Sequence, residues 1–249
     1  VLVGVAEDPG HDVVGRLRHL LKISRIGHAG TLDPDATGLL IMCLGPATKV
    51  SSLLMEGDKT YEVEFRLGLE TDTYDSTGET VSERPVKVTE NQLREILRDF
   101  VGVQMQKPPK FSAVKVGGKK LYEYARKGQE VEAPAREVTA YSIELQSFKT
   151  PDGHLSIECS KGTYVRSLVH DLGQKLGCGA ITTAIRRTRS GLLEVSSAIR
   201  LADLEKSIDP ELAVEFRLIS ISKALSGLPT LCVGQKVVSR ILQGAGLRP

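Results

Sequence analysis

The chain has 249 residues, of which 41% are apolar and 26% charged, and 33 Lys and Arg against 31 Asp and Glu leave a net charge of +2. This composition excludes a disordered chain, and the longest clean apolar run, Leu39 to Leu44, is far too short to span a bilayer. The length suits one large domain with a small appendage.

Helix and strand patterns alternate along the chain, so the expected class is mixed α and β. Asp12 is placed to cap a helix whose apolar positions Val13, Val14, Leu17, Leu20 and Leu21 fall on one face. Leu39 to Leu44, bounded by Gly38 and Gly45, reads as a strand buried on both sides. In Thr60 to Leu67, Tyr61, Val63, Phe65 and Leu67 alternate with polar residues, which puts Tyr61 on the apolar face of a strand. Thr89 and Gln92 form a capping box ahead of Leu93, Ile96, Leu97, Phe100 and Val101, and Gly102 is placed to end that helix.

Pro108, Pro109, Gly117 and Gly118 then punctuate an irregular stretch leading into Leu121 to Lys127. Two further strands are expected around Tyr141 to Leu145 and Leu155 to Cys159. After Gly162, a helical stripe of Val165, Leu168, Val169, Leu172 and Leu176 puts Arg166 in a first turn. Gly227 and Pro229 mark a boundary, beyond which one short amphipathic helix, Gln235 to Gln243, precedes the last residues.

The charge is unevenly spread. Residues 104–136 hold eight Lys and Arg against three Glu, and residues 161–189 hold six against Asp171 alone. A polyanion could dock across these segments, although a solvated charged face gives the same pattern. Cys43, Cys159, Cys178 and Cys232 are scattered and the five histidines share no spacing, so reduced thiols and no metal site are expected. Such thiols suit the cytoplasm or an organelle interior. The sequence contains no G-x-x-x-x-G-K-[ST] loop, no G-x-S-x-G elbow and no complete G-x-G-x-x-G, which leaves cofactor-dependent chemistry without its usual signatures.

The densest patch of unusual residues runs from Arg25 to Gly38, between the first helix and the buried strand. Its glycines permit close approach of a ligand, and Pro34 biases Asp33 towards an extended conformation. A carboxylate at the mouth of a buried strand can serve as a nucleophile or base, while Asp-Pro alone also starts ordinary turns.

Gly27 to Pro34 with Ala36-Thr37-Gly38 resembles the signature of the TruB and dyskerin family of pseudouridine synthases. Further landmarks of that family follow in order: Lys59-Thr60-Tyr61, Arg66-Leu67-Gly68, Thr71-Asp72-Thr73 with Asp75, Pro108-Pro109 with Phe111-Ser112-Ala113, Gly162 to Ser167, and Arg186 to Gly191. The resemblance covers the chain from Asp12 to about Leu204. One departure stands at the start, where Val5 to His11 replaces a Lys-Pro-x-Gly-x-Thr-Ser stretch.

The resemblance implies a mixed α/β fold around a largely antiparallel sheet with a catalytic cleft in residues 1–226. Within it, 104–136 would be a basic RNA-gripping insertion, and 227–249 would be the start of a C-terminal PUA domain. It implies isomerisation of a uridine in the tRNA T-loop by base flipping, without cofactor, metal, guide RNA or obligatory protein partner, by a monomer. Asp33 would be the essential aspartate, Arg166 its ion-pair partner, and Tyr61 the residue that stacks on the base and accepts the C5 proton. Tyr164 would line the pocket, and His28 would fill the space the uridine leaves. Lys59, Arg189, Lys110, Lys119 and Lys120 would contact the RNA. Two alternatives stand beside this: a guide-dependent dyskerin-type subunit, which the basic stretch 104–136 argues against, and a non-catalytic tRNA-folding chaperone.

Overall fold

The structure, a computed structural model, describes residues 1–6, 12–207, 209 and 218–244, and the side chains of 2–6, 235, 236 and 241 are left aside. Of the expected departure at Val5 to His11, residues 7–11 therefore lie outside the described residues.

The strands in chain order are β1 (Leu2–Ala6), β2 (Ile26–His28), β3 (Thr37–Leu44), β4 (Lys59–Leu67), β5 (Leu69–Thr71), β6 (Thr80–Glu83), β7 (Gly102–Gln106), β8 (Lys115–Val116), β9 (Lys119–Lys120), β10 (Arg136–Lys149), β11 (Asp152–Cys159), β12 (Ala180–Ser190), β13 (Leu193–Glu194) and β14 (Ile199–Arg200). The helices are α1 (Val13–Leu21), α2 (Ser51–Met55), α3 (Glu90–Arg98), α4 (Leu121–Ala125), α5 (Val165–Leu176), α6 (Leu201–Glu205), α7 (Ile221–Ala224) and α8 (Gln235–Leu242).

One ten-stranded sheet in the order β14-β1-β3-β12-β4-β11-β10-β7, with β2 beside β3 and β13 beside β12, organises the molecule. Among the strand pairings of the described residues in this sheet, β1–β14 and β3–β12 are parallel and the others antiparallel, so the sheet is largely antiparallel, as expected.

β3 is covered on both faces, which is why its sequence is a continuous apolar run rather than an alternating one. Leu39, Ile41 and Cys43 pack with Ala29, Ala47, Leu54 and Leu193. Leu40 and Met42 meet Val13, Leu17 and Leu21 of α1, whose first turn is capped by the Asp12 carboxylate accepting from the Gly15 amide at 2.9 Å. The other half of the sheet buries Val63, Phe65, Leu155 and Ile157 under Leu93 and Leu97 of α3 and Leu168, Val169 and Leu172 of α5. At roughly 1.5–3 kcal/mol per fully buried aliphatic or aromatic side chain, this layer is a principal source of stability, and it fixes α5 against β4.

The Thr89–Gln92 capping box forms at the start of α3. The helix stops at Arg98, however, and Gly102 does not cap it. Asp99, Phe100 and Val101 continue as a tight tail of i to i−3 bonds, and Gly102, at φ +109°, opens β7. The irregular stretch between β7 and β10 carries the β8–β9 hairpin, turned by Gly117 and Gly118, and the short helix α4. Residues 104–106 lie in β7 and Arg136 is the first residue of β10, so the 104–136 segment springs from two adjacent strands. Among the described residues no helix is long and apolar enough to cross a membrane, and no His, Cys, Asp and Glu group could hold a metal ion.

Candidate active site

β2 and β3 pair antiparallel from Ile26↔Leu44 to His28↔Met42, so residues 30–36 form a loop thrown out from the buried strand. A turn closed by the Ala36 amide donating to the Asp33 carbonyl at 3.0 Å puts the Asp33 side chain at the loop tip. That side chain is about one-third exposed, while the Arg166 side chain that meets it is 4% exposed.

Arg166 enters from the first turn of α5. Its Nε and one terminal nitrogen donate to the two Asp33 carboxylate oxygens at 2.8 and 3.0 Å, a bidentate pair. The remaining donors go to the Phe111 carbonyl at 3.1 Å, the Thr73 carbonyl at 2.9 Å and the Asp75 carboxylate at 3.2 Å. A guanidinium has five N–H groups, and here five acceptors receive them. The cation is thus fixed in position, and it fixes Asp33.

Asp75 is itself held. Its Oδ1 accepts from the Thr73 hydroxyl at 2.7 Å, the Thr77 amide at 3.0 Å and the Thr77 hydroxyl at 2.6 Å, leaving Oδ2 for Arg166. Between these contacts Tyr74 has φ +64°, an uncommon conformation for a bulky residue. Its ring stacks on His170, one helical turn beyond Arg166, with centroids 3.9 Å apart. The α5 N-terminus is anchored by Gln106, whose amide side chain donates to the Tyr164 carbonyl at 3.0 Å and accepts from the Tyr164 amide at 2.7 Å.

Arg187 completes the arrangement from β12. Its backbone pairs in parallel with Gly38, and its side chain donates to the carbonyls of Leu39 at 2.9 Å, Gly30 at 3.0 Å and Thr31 at 3.4 Å. Gly38 is at φ +98°, and a Cβ there would come 2.8 Å from the Arg187 amide nitrogen and collide with its carbonyl oxygen. Only glycine fits.

Tyr61 lies directly opposite Arg187 in the β4–β12 register, on the helix-covered face. Burial pushes its phenol pKa up, and the neighbouring Arg187 charge opposes that shift. Arg166 thus holds the Asp33 carboxylate, and Arg187, opposite Tyr61, holds the ends of the Asp33 loop.

Other expected site residues are placed differently. The Lys59 ammonium is buried and donates to the carbonyls of Met55 and Gly57, where it closes the end of α2. Its pKa is lowered, chiefly by burial and then by Arg187. Arg189 sits on the far face of the sheet, bound to Glu158 at 2.5 Å, the Thr60 hydroxyl at 3.0 Å and the Gly191 carbonyl at 3.0 Å. In this structure the donors of both side chains are engaged by the protein itself.

Tyr164 is the N-cap residue of α5, and its ring lies under the Arg136 guanidinium at 4.7 Å. His28 is exposed on β2, and partial burial and then Arg187 lower its pKa. Lys119 and Lys120 stand on the β8–β9 hairpin, and Lys110, exposed, bonds to Glu130 at 3.1 Å one residue before Phe111. The basic stretch therefore begins at the Arg166 site itself. Asp75 and Arg187 were not singled out as site residues, although the Thr- and Asp-rich run 71–77 is a turn-forming cluster that could have drawn attention to Asp75.

Residues 18–165 match the TruB family pseudouridylate synthase N-terminal domain, and residues 166–215 match the tRNA pseudouridylate synthase B C-terminal domain. The chain is similar to proteins named tRNA pseudouridine synthase B from Ralstonia nicotianae (46% identical, covering 95% of this chain and 76% of that protein) and Opitutus terrae (47%, covering 86% and 88%). Its fold is similar to a chain in the crystal structure of a Cbf5-Nop10-Gar1 complex, with a TM-score of 0.76 at 27% identity. That match covers 98% of this chain and spans 66% of the other.

Proposed function

Because the chain belongs to the TruB family of pseudouridylate synthases, we propose that it converts a uridine of the tRNA T-loop to pseudouridine, as a stand-alone enzyme with Asp33 as its essential carboxylate. The observation that carries this reading is the Arg166–Asp33 pair, a partly exposed carboxylate aligned by a buried cation with no donor to spare.

Isomerisation breaks the N1–C1′ bond, turns the uracil, joins C5 to C1′ and releases the C5 proton, with no net oxidation and no water added. The uridine must first leave its stack at a cost of a few kcal/mol. Stacking on Tyr61 returns about 1–3 kcal/mol, and phosphate contacts from Lys110, Lys119 and Lys120 contribute salt-dependent affinity. Arg166 holds the Asp33 carboxylate in a bidentate pair while the RNA is bound. Tyr61 accepts the C5 proton directly or through a water molecule, Tyr164 closes the pocket wall, and His28 fills the space the base vacates. In this reading the enzyme acts as a monomer in the cytoplasm, without a protein partner, and the segment from residue 227 is the beginning of a PUA-type RNA-binding unit.

The test is tritium release from C5-labelled uridine in a T-arm stem-loop with no guide RNA, comparing the protein with Asp33→Asn. Release that requires Asp33 supports the proposal. Binding of the stem-loop without release, in the unsubstituted protein, refutes stand-alone catalysis and favours the chaperone or guided reading.

A further inference from the structure

Arg187 differs from Arg166 and from its strand neighbour Arg189. Its side chain is buried, with the residue 2% exposed, and among the described residues it forms no ion pair with a carboxylate. Arg166 has Asp33 and Asp75, and Arg189 has Glu158. Burying a cation without an anion is expensive, and an apolar residue would fill the same space at less cost. What the guanidinium does is specific. It ties Gly30 and Thr31, which enter the Asp33 loop, to Leu39, which leaves it, so the loop ends are held by one side chain from another strand. On its other side, Arg187 stands directly opposite Tyr61 in the β4–β12 register, and its charge opposes the burial that raises the phenol pKa.

We propose that Arg187 is a positioning residue of the isomerisation: it clamps the two ends of the Asp33 loop and orients the Tyr61 hydroxyl, so that carboxylate and phenol face the same base. This rests on the reading of the site as a pseudouridine synthase centre. The consequence is a division of labour between the two buried arginines. Arg166 aligns the Asp33 carboxylate from the side of α5, and Arg187 fixes the backbone that carries it from the side of β12.

Two variants separate the clamp from the charge. Arg187→Lys keeps a positive charge but loses the planar fork, and Arg187→Gln keeps a planar donor but loses the charge. Each is compared with the unsubstituted protein for dissociation constant and single-turnover rate on a T-arm stem-loop, with circular dichroism and thermal melting as the check on folding. The expected result is folded protein, RNA affinity within about threefold, and a single-turnover rate at saturating RNA lowered about a hundredfold in both variants, because ångström-scale misplacement of a reacting group costs that much. In Arg187→Lys, adding Tyr61→Phe should lower the rate by less than Tyr61→Phe does alone, since the phenol is already misoriented.

An unchanged rate at saturating RNA, a loss explained by weaker binding, or full additivity with Tyr61→Phe would each overturn the proposal. So would failure of both variants to fold, which assigns Arg187 to stability alone. Activity of the unsubstituted protein is read first, so an inactive parent refutes the functional reading and not the role of Arg187 within it.

Discussion

Replacing Arg166 by Lys tests the central geometric argument. The guanidinium distributes five N–H groups over Asp33, Asp75, Thr73 and Phe111, whereas an ammonium has three. At least two acceptors lose their partner, at about 1–3 kcal/mol each where water cannot replace it. Asp33 is about one-third exposed and regains a water, so the destabilisation belongs near the lower end of that sum, about 2–3 kcal/mol. This is a large fraction of the roughly 5–15 kcal/mol that stabilises a typical domain, yet it leaves a folded protein. The catalytic loss should exceed it. A point charge cannot reproduce the bidentate alignment of Asp33, and misplacement by about an ångström costs roughly a hundredfold in rate. Urea denaturation gives the first quantity and single-turnover conversion of a T-arm stem-loop the second. Arg166→Lys with the parent's rate at saturating RNA and the parent's denaturation midpoint would refute the claim that the saturated fork positions Asp33.

Tyr61→Phe keeps the ring and removes the hydroxyl, so RNA affinity should hold within about threefold while the rate falls, whereas Tyr61→Ala should also lose the roughly 1–3 kcal/mol of stacking; titration binding and single-turnover assays distinguish them. Replacing Lys110, Lys119 and Lys120 together by Ala should weaken RNA binding and flatten the plot of log affinity against log salt by about one to three, with little change in rate at saturation. Gly38→Ala should be strongly destabilising, by about 3 kcal/mol or more, because φ +98° and the Arg187 backbone both exclude a Cβ, and thermal melting would read this. Burial lowers the pKa of both His28 and His170. For a histidine depressed in the folded state, the stabilising contribution is complete above the unfolded value near 6.5 and is lost as pH falls through the folded value. The melting temperature should therefore decline on acidification below about pH 6.5, and less steeply in the double variant His28→Gln with His170→Gln.

What was legible in the sequence was whatever depends on neighbours in the chain. The Asp12 cap and the Thr89–Gln92 box are three-residue relations, and both form. The unbroken run Leu39–Leu44 correctly announced a strand covered on both faces. The end of α3 is hidden in the sequence because Phe100 and Val101 continue the apolar spacing through a tight tail that leaves no mark in periodicity. The candidate site divides in the same way. Arg187 and Arg189 are two apart, so the period of a regular strand puts them on one face, and either could be taken for a phosphate contact. A β-bulge intervenes: Arg187 pairs with Tyr61, but Arg189 pairs with Thr60, so one guanidinium turns inward to the Asp33 loop and the other outward to Glu158. The inserted residue is Thr188, an ordinary strand former, and no local preference marks the bulge. Its hydroxyl donates to the Thr60 carbonyl at 3.3 Å, a partner 128 residues away. Arg166 likewise reaches Asp75 across 91 residues and Asp33 across 133. Residue types could therefore name a carboxylate, an aromatic ring and a cation, but which cation reaches the Asp33 loop is decided by a register shift that only the assembled sheet specifies.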